Sequence, residues 1–137
     1  MKIERFEDVK ARQAARALAE MVYTASDDAS FARDFGLRDQ IRSAAGSTMH
    51  NVAEGFDAGS DAEFVRFLKY SRRSASEVQS QLYIALDRRY IAPDQFQRIY
   101  DQATSVKKLI NAFIAYLRKG APSSDRPAAR LKGPSDQ

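Results

Sequence analysis

Apolar residues recur every three to four positions along most of this chain, and the residues that would interrupt such a pattern sit at its margins. Of four prolines and six glycines in 137 residues, three prolines and two glycines lie at or beyond position 120. Gly36, Gly55 and Gly59 bracket two boundaries, Pro93 marks a third, and Gly120-Ala121-Pro122 a fourth. Strands buried on one face need a period of two, whereas a period near 3.6 demands helices. The chain is restricted to an all-α fold.

Four helices follow from the spacing. The first runs from about Phe6 to Ala25, with Ala11, Ala14, Leu18, Met21, Val22 and Ala25 on one side. The second begins at about Arg33 or Leu37 and ends at Glu54; its stripe is Leu37, Ile41, Ala44, Ala45, Thr48 and Val52. Gly55 stands where a left-handed residue commonly closes a helix. The third covers about Asp61 to Arg88, opened by a capping box of Ser60 and Glu63. Phe64, Phe67, Leu68, Ser71, Ala75, Val78, Leu82, Ala85 and Leu86 form its core face. The fourth starts at Pro93, where a missing N–H costs nothing, and carries Phe96, Ile99, Ala103, Val106, Ile110, Phe113 and Leu117. Short connections between amphipathic helices predict an antiparallel up-down four-helix bundle over residues 1–120. Residues 121–137 are rich in proline and lack periodicity, which predicts a disordered C-terminal tail.

Composition removes several classes of chemistry. There is no cysteine, so disulfides, cysteine-based metal sites and cysteine nucleophiles are excluded. The one histidine, His50, lacks the Glu-x-x-His partner of a di-metal bundle, since position 47 is serine. No phosphate-cradling glycine loop, serine elbow or zinc-protease helix motif is present. A non-catalytic protein with no cofactor and no metal is expected. No run reaches the ~20 apolar residues of a membrane span. The opening MKIERFEDVK lacks the apolar stretch of a secretory signal, so a cytoplasmic protein is expected.

Charge is unevenly placed. The chain has 22 Lys+Arg against 18 Asp+Glu, a net +4. Residues 59–120 hold eleven basic and six acidic groups, while residues 1–58 are slightly acidic. Arg66, Lys69, Arg72, Arg73, Arg98, Lys107 and Lys108 are the candidate contacts to an RNA or DNA backbone. A plain solvated face is the alternative for the same charges. Tyr70, Glu77 and Ile84 repeat every seven residues on the outer side of the third helix, with Tyr83 nearby; Leu109 and Tyr116 repeat likewise on the fourth. Such rows suggest self-association through Tyr70, Tyr83, Ile84, Leu109 and Tyr116. Gln40, Ser47, Asn51 and Glu54 flank the second stripe, and Ser74, Glu77 and Gln81 the third. They read as a hydrogen-bonded network fixing helix register, or else as a polar pocket between the two helices. On the network reading, Glu54→Ala acts mainly on thermal stability.

Residues 35–55, FGLRDQIRSAAGSTMHNVAEG, resemble the 23S rRNA intervening-sequence proteins, whose pattern is roughly F-G-L-x-x-Q-[IL]-R-R-A-A-x-S-[IV]-x-x-N-[IV]-A-E-G. Glu63-Phe64, Phe67-Leu68, Ser74 and Glu77 fit the family's third helix, and Phe6-Glu7-Asp8-Val9 and Tyr90-Ile91 also fit. The chain departs at Ser43, where a basic residue is common, and at Thr48, where an aliphatic is usual. The resemblance spans about residues 3–118. It implies antiparallel four-helix bundles assembled as homopentamers, with a proposed nucleic-acid role and no established active site. A group related to that family, the accessory proteins of diversity-generating retroelements, forms similar basic pentamers that bind a reverse transcriptase and RNA. A homo-oligomer that binds structured RNA is the leading expectation, and an oligomeric scaffold for a protein partner is the second.

Overall fold

A computed structural model describes residues 6–119. The helices are α1 (Phe6–Ser26), α2 (Ala29–Arg33), α3 (Phe35–Phe56), α4 (Asp61–Asp87) and α5 (Pro93–Lys119). The four long ones form the expected bundle. Each packs on two neighbours in the cyclic order α1, α3, α4, α5, and the α3–α4 contact is the most extensive. Leu18, Val22, Ile41, Val52, Leu68, Val78, Leu82, Val106, Ile110, Phe113 and Leu117 are almost wholly withdrawn from solvent at its centre. Truncating a buried Leu or Ile of this kind to Ala costs about 2–5 kcal/mol. The tail expected over 121–137 lies outside the described residues.

Two local features differ from the sequence reading. The first is α2, a single turn between α1 and α3 that places Phe31 in the core at 1% exposure. The break after it falls at Asp34, which serves three neighbours. Its backbone N–H donates to the Phe31 carbonyl at 3.0 Å. Oδ1 accepts from the Leu37 N–H at 3.1 Å, capping α3, and Oδ2 accepts from the Tyr90 hydroxyl at 2.9 Å. The Tyr90 ring stacks on Phe31 at 5.4 Å, so the turn before α3 and the turn after α4 are tied together. A single turn with one large apolar side chain is too short to show a period, which is why the spacing gives no sign of α2.

The second concerns helix ends. Gly55 lies within α3, which continues to Phe56 and is capped by Asp57. It is required for proximity: a Cβ there would stand 2.5 Å from Phe64 Cδ1 and 2.8 Å from Cε1. The left-handed closure occurs instead at Arg89, φ 61°, after α4. The Arg89 N–H donates to Leu86 O at 2.9 Å and the Tyr90 N–H to Ala85 O at 2.9 Å, the paired bonds of a Schellman motif. Ser60 caps α4 as expected, accepting from Glu63 N at 3.1 Å. The Glu63 carboxylate turns outward and takes Arg66 in a fork at 2.7 and 2.9 Å.

Candidate nucleic-acid interface

α4 and α5 run side by side, and their facing flanks leave a groove of about 430 Å³. Lys69, Arg72, Arg73 and Ser76 line it from α4, Lys107 and Asn111 from α5. Residues three, four and seven apart share one flank of a helix, which is why 69, 72, 73 and 76 converge, and why 107 and 111 face them. Two hydrogen bonds cross the groove. Arg72 Nη1 donates to Asn111 Oδ1 at 2.6 Å, and Lys107 Nζ donates to Ser76 Oγ at 3.2 Å. The Arg73 guanidinium lies 5.8 Å from the centre of the Tyr70 ring. Four cations thus meet with no acidic residue among the six lining side chains. The hydrogen bonds of Arg72 and Lys107 go to neutral oxygens, which orient these charges without cancelling them.

Four of the seven candidate backbone contacts therefore come together, and three do not. Arg66 is held by Glu63, whose hydrogen bond and charge raise the guanidinium above its ordinary value. Arg98 pairs with Asp94 at 3.2 Å, one turn earlier on α5. Lys108 is exposed and follows Lys107 by one residue, about 100° around the helix and away from α4. Ser76 and Asn111 are part of the groove although the sequence reading passed over them; Asn111, one turn after Lys107, was the available signal.

The opposite flank of α4 has the reverse character. Asp39, Gln40, Ser43, Ala44 and Ser47 of α3 with Glu77 and Gln81 of α4 line a groove of about 420 Å³. Four of the seven network candidates, Gln40, Ser47, Glu77 and Gln81, meet there. Gln81 Oε1 is buried without a hydrogen-bond partner. Asn51 Nδ2 bonds the Ser47 carbonyl within its own helix at 2.8 Å, and Glu54 is exposed. Ser74 is buried at 8% exposure. A hydrogen bond that joins α3 to α4 comes from Ser71, whose hydroxyl donates to the Thr48 carbonyl.

Of the residues expected at an interface between copies, Tyr70, Tyr83 and Ile84 are exposed, at 36%, 50% and 49%. Leu109 and Tyr116 are partly buried, and Tyr116 packs on the core beside Phe113. Phe35, at 63% exposure under the Arg38 guanidinium, was not foreseen. His50 is exposed on α3. Among the described residues no three His, Asp or Glu side chains are grouped to hold a metal ion. No described helix is long and apolar enough to cross a membrane.

Comparisons agree with this architecture. A solved structure from Bacteroides thetaiotaomicron, described as a protein of unknown function from the S23 ribosomal protein family, superposes with a TM-score of 0.74 at 22% identity. The match covers 80% of this chain and 99% of that one, and supports the shared fold. A comparison with functionally curated proteins gave no match. The family described as 23S rRNA-intervening sequence protein matches residues 7–112, most of the chain and all of its long helices except the last turns of α5. On that match, the chain belongs to the 23S rRNA-intervening sequence protein family.

Proposed function

We propose that this protein is a non-catalytic module that binds structured RNA through the α4/α5 groove. The observation that carries the reading is the meeting of Lys69, Arg72, Arg73 and Lys107 around one groove without a carboxylate. Cations placed this way attract a phosphate backbone by releasing its counterions, without reading sequence. The family's description refers to 23S rRNA, which favours RNA over DNA as the first ligand to test. Filter binding of structured RNA across a salt series is the direct measurement. A steep fall of affinity with salt, made shallower by Lys69→Glu or Arg73→Glu, supports the groove. No retention at low salt defeats the proposal.

The exposed row of Tyr70 and Ile84 favours a second property, self-association into a homo-oligomer such as a pentamer. Assembly would repeat the groove around a ring and strengthen its field. Static light scattering decides it: a mass near that of the 15.4 kDa chain at micromolar concentration ends the idea. As an alternative to RNA binding, such an oligomer would act as a scaffold for a protein partner, which would co-purify through nuclease and high salt.

A further inference from the structure

Beyond the Ser76–Lys107 end of the basic groove, the seam between α4 and α5 carries aromatic side chains. Lys69, Ser76 and Tyr83 are spaced by seven on α4 and share a stripe. The two helices meet rung by rung along it. After the Arg72–Asn111 and Lys107–Ser76 bonds, Gln79 Nε2 donates to Thr104 Oγ1 at 2.9 Å and to the Tyr100 carbonyl at 3.2 Å. One turn further the Tyr83 ring packs against Phe96 at 5.0 Å and Tyr100 at 5.8 Å. Tyr83 stays half exposed while these two rings hold it. From Ser76 to Tyr83 is seven residues, about 10 Å along the helix, the length of roughly three stacked nucleotides at ~3.4 Å each.

A surface for duplex backbone needs charge and has no use for a solvent-facing ring. An unpaired strand offers both phosphates and an open base face, and aromatic side chains beside a cationic track are how such strands are held. We infer that the groove takes an unpaired RNA segment, with its phosphates over Lys69, Arg72, Arg73 and Lys107 and a base stacked on Tyr83. This rests on the RNA-binding reading above and narrows it, from structured RNA in general to a single-stranded loop or end within it. Phe96 and Tyr100 act as positioning residues that keep the Tyr83 ring in place.

The full chain is titrated with a labelled single-stranded RNA and with a blunt RNA duplex of equal length. A second strand carries 2-aminopurine, whose fluorescence falls on stacking; the chain contains no tryptophan to interfere. The single strand is expected to bind more tightly than the duplex, with 2-aminopurine quenching. Tyr83→Ala should weaken the single strand on the order of tenfold and abolish the quenching, while the salt slope, set by the cations, is unchanged. Tyr83→Phe should bind like the original, because the π-face remains. Lys69→Glu should make the slope shallower. If Tyr83→Ala binds the single strand normally while Lys69→Glu does not, the basic groove stands and the stacked strand is wrong. The inference is equally overturned if the duplex binds as well as the single strand, or if Tyr83→Ala changes the molecular mass, which would make Tyr83 an interface between copies. If the original chain binds neither RNA, the broader proposal has failed.

Discussion

The two flanks of α4 carry opposite chemistry. Toward α3 small residues are buried on both helices, Ala44, Ala45, Thr48 and Gly55 on α3 and Ser71, Ser74 and Ala75 on α4, with Ser71 bonded to Thr48 and Gly55 against Phe64, and the groove outside holds Asp39 and Glu77. Toward α5 the groove is lined by long cationic side chains and leads to aromatic rings. α4 itself has four basic and four acidic residues between 61 and 87. Its zero net charge conceals a sorting of charge to either side of the helix, and a binding surface is made by that sorting. Small residues on one flank let the backbones approach and leave little that could grip a ligand. Long residues on the other line a groove and furnish a track.

The largest effect is expected where the close flank is broken. In Gly55→Ala the new Cβ would collide with a Phe64 ring that is 4% exposed and braced edge-on against Phe113 at 4.9 Å. The ring cannot swing away, so the helices must part or the side chain must leave its rotamer, at a cost of roughly 2–3 kcal/mol. Urea unfolding measures it. A midpoint unchanged from the original chain would show that the α3–α4 approach is looser than described.

A charge exchange across α4 tests whether sorting or sum matters. Lys69→Glu combined with Glu77→Lys keeps the net +4 and shifts two units of charge from the basic groove to the acidic one. Both positions are exposed, so the fold should tolerate it. RNA affinity should fall on the order of tenfold, about 1.4 kcal/mol, and the salt dependence should flatten. Unaltered affinity would mean that the field of the whole molecule, and not the α4/α5 groove, attracts the ligand.

Arg89→Gly separates stability from binding. Arg89 is the one described non-glycine residue with positive φ, at 61°, and glycine meets no steric penalty there. A gain of about 1 kcal/mol is expected, visible as a melting point raised by several degrees, with RNA affinity unchanged. A loss of stability would mean that the Arg89 side chain makes a contact worth more than the strain it bears.

The bundle was legible in the sequence because four long stripes, Ser60 and Pro93 all agree, and agreement between levels is what specifies a fold. Spacing sets Gly55 just past its helix as a left-handed cap, whereas the helix runs through it: spacing cannot distinguish a glycine needed for its backbone angle from one needed so that Phe64 can approach. Arg89 was illegible because nothing in its side chain favours a left-handed residue. For the site, heptad arithmetic on a single helix groups Lys69, Ser76 and Tyr83, yet it cannot say which neighbour they face. Heptad spacing therefore sets Tyr83 beside Tyr70 and Ile84 and gives no sign that one side of its ring packs on Tyr100 and Phe96. Arg66 and Arg98 look like free cations in a charge count, which does not show that each pairs with a carboxylate, Glu63 and Asp94, three and four residues earlier.

The smallest expected effect concerns what holds the close flank together. From sequence alone Glu54 belongs to a register-fixing network, and its removal should destabilise. In the structure it is exposed at the end of α3, while Ser71 is wholly buried and donates to the Thr48 carbonyl across the seam. Glu54→Ala should then change stability by no more than about 0.5 kcal/mol, the usual range for a surface substitution. Ser71→Ala should cost about 1 kcal/mol, the net worth of a buried hydrogen bond whose acceptor still has its own helical partner. Thermal or urea unfolding of the two variants side by side gives the ratio. A larger loss from Glu54→Ala than from Ser71→Ala would move the support of the α3–α4 contact from its buried seam to its polar rim. The acidic groove would then be a structural strut and not merely the surface left over where small residues meet.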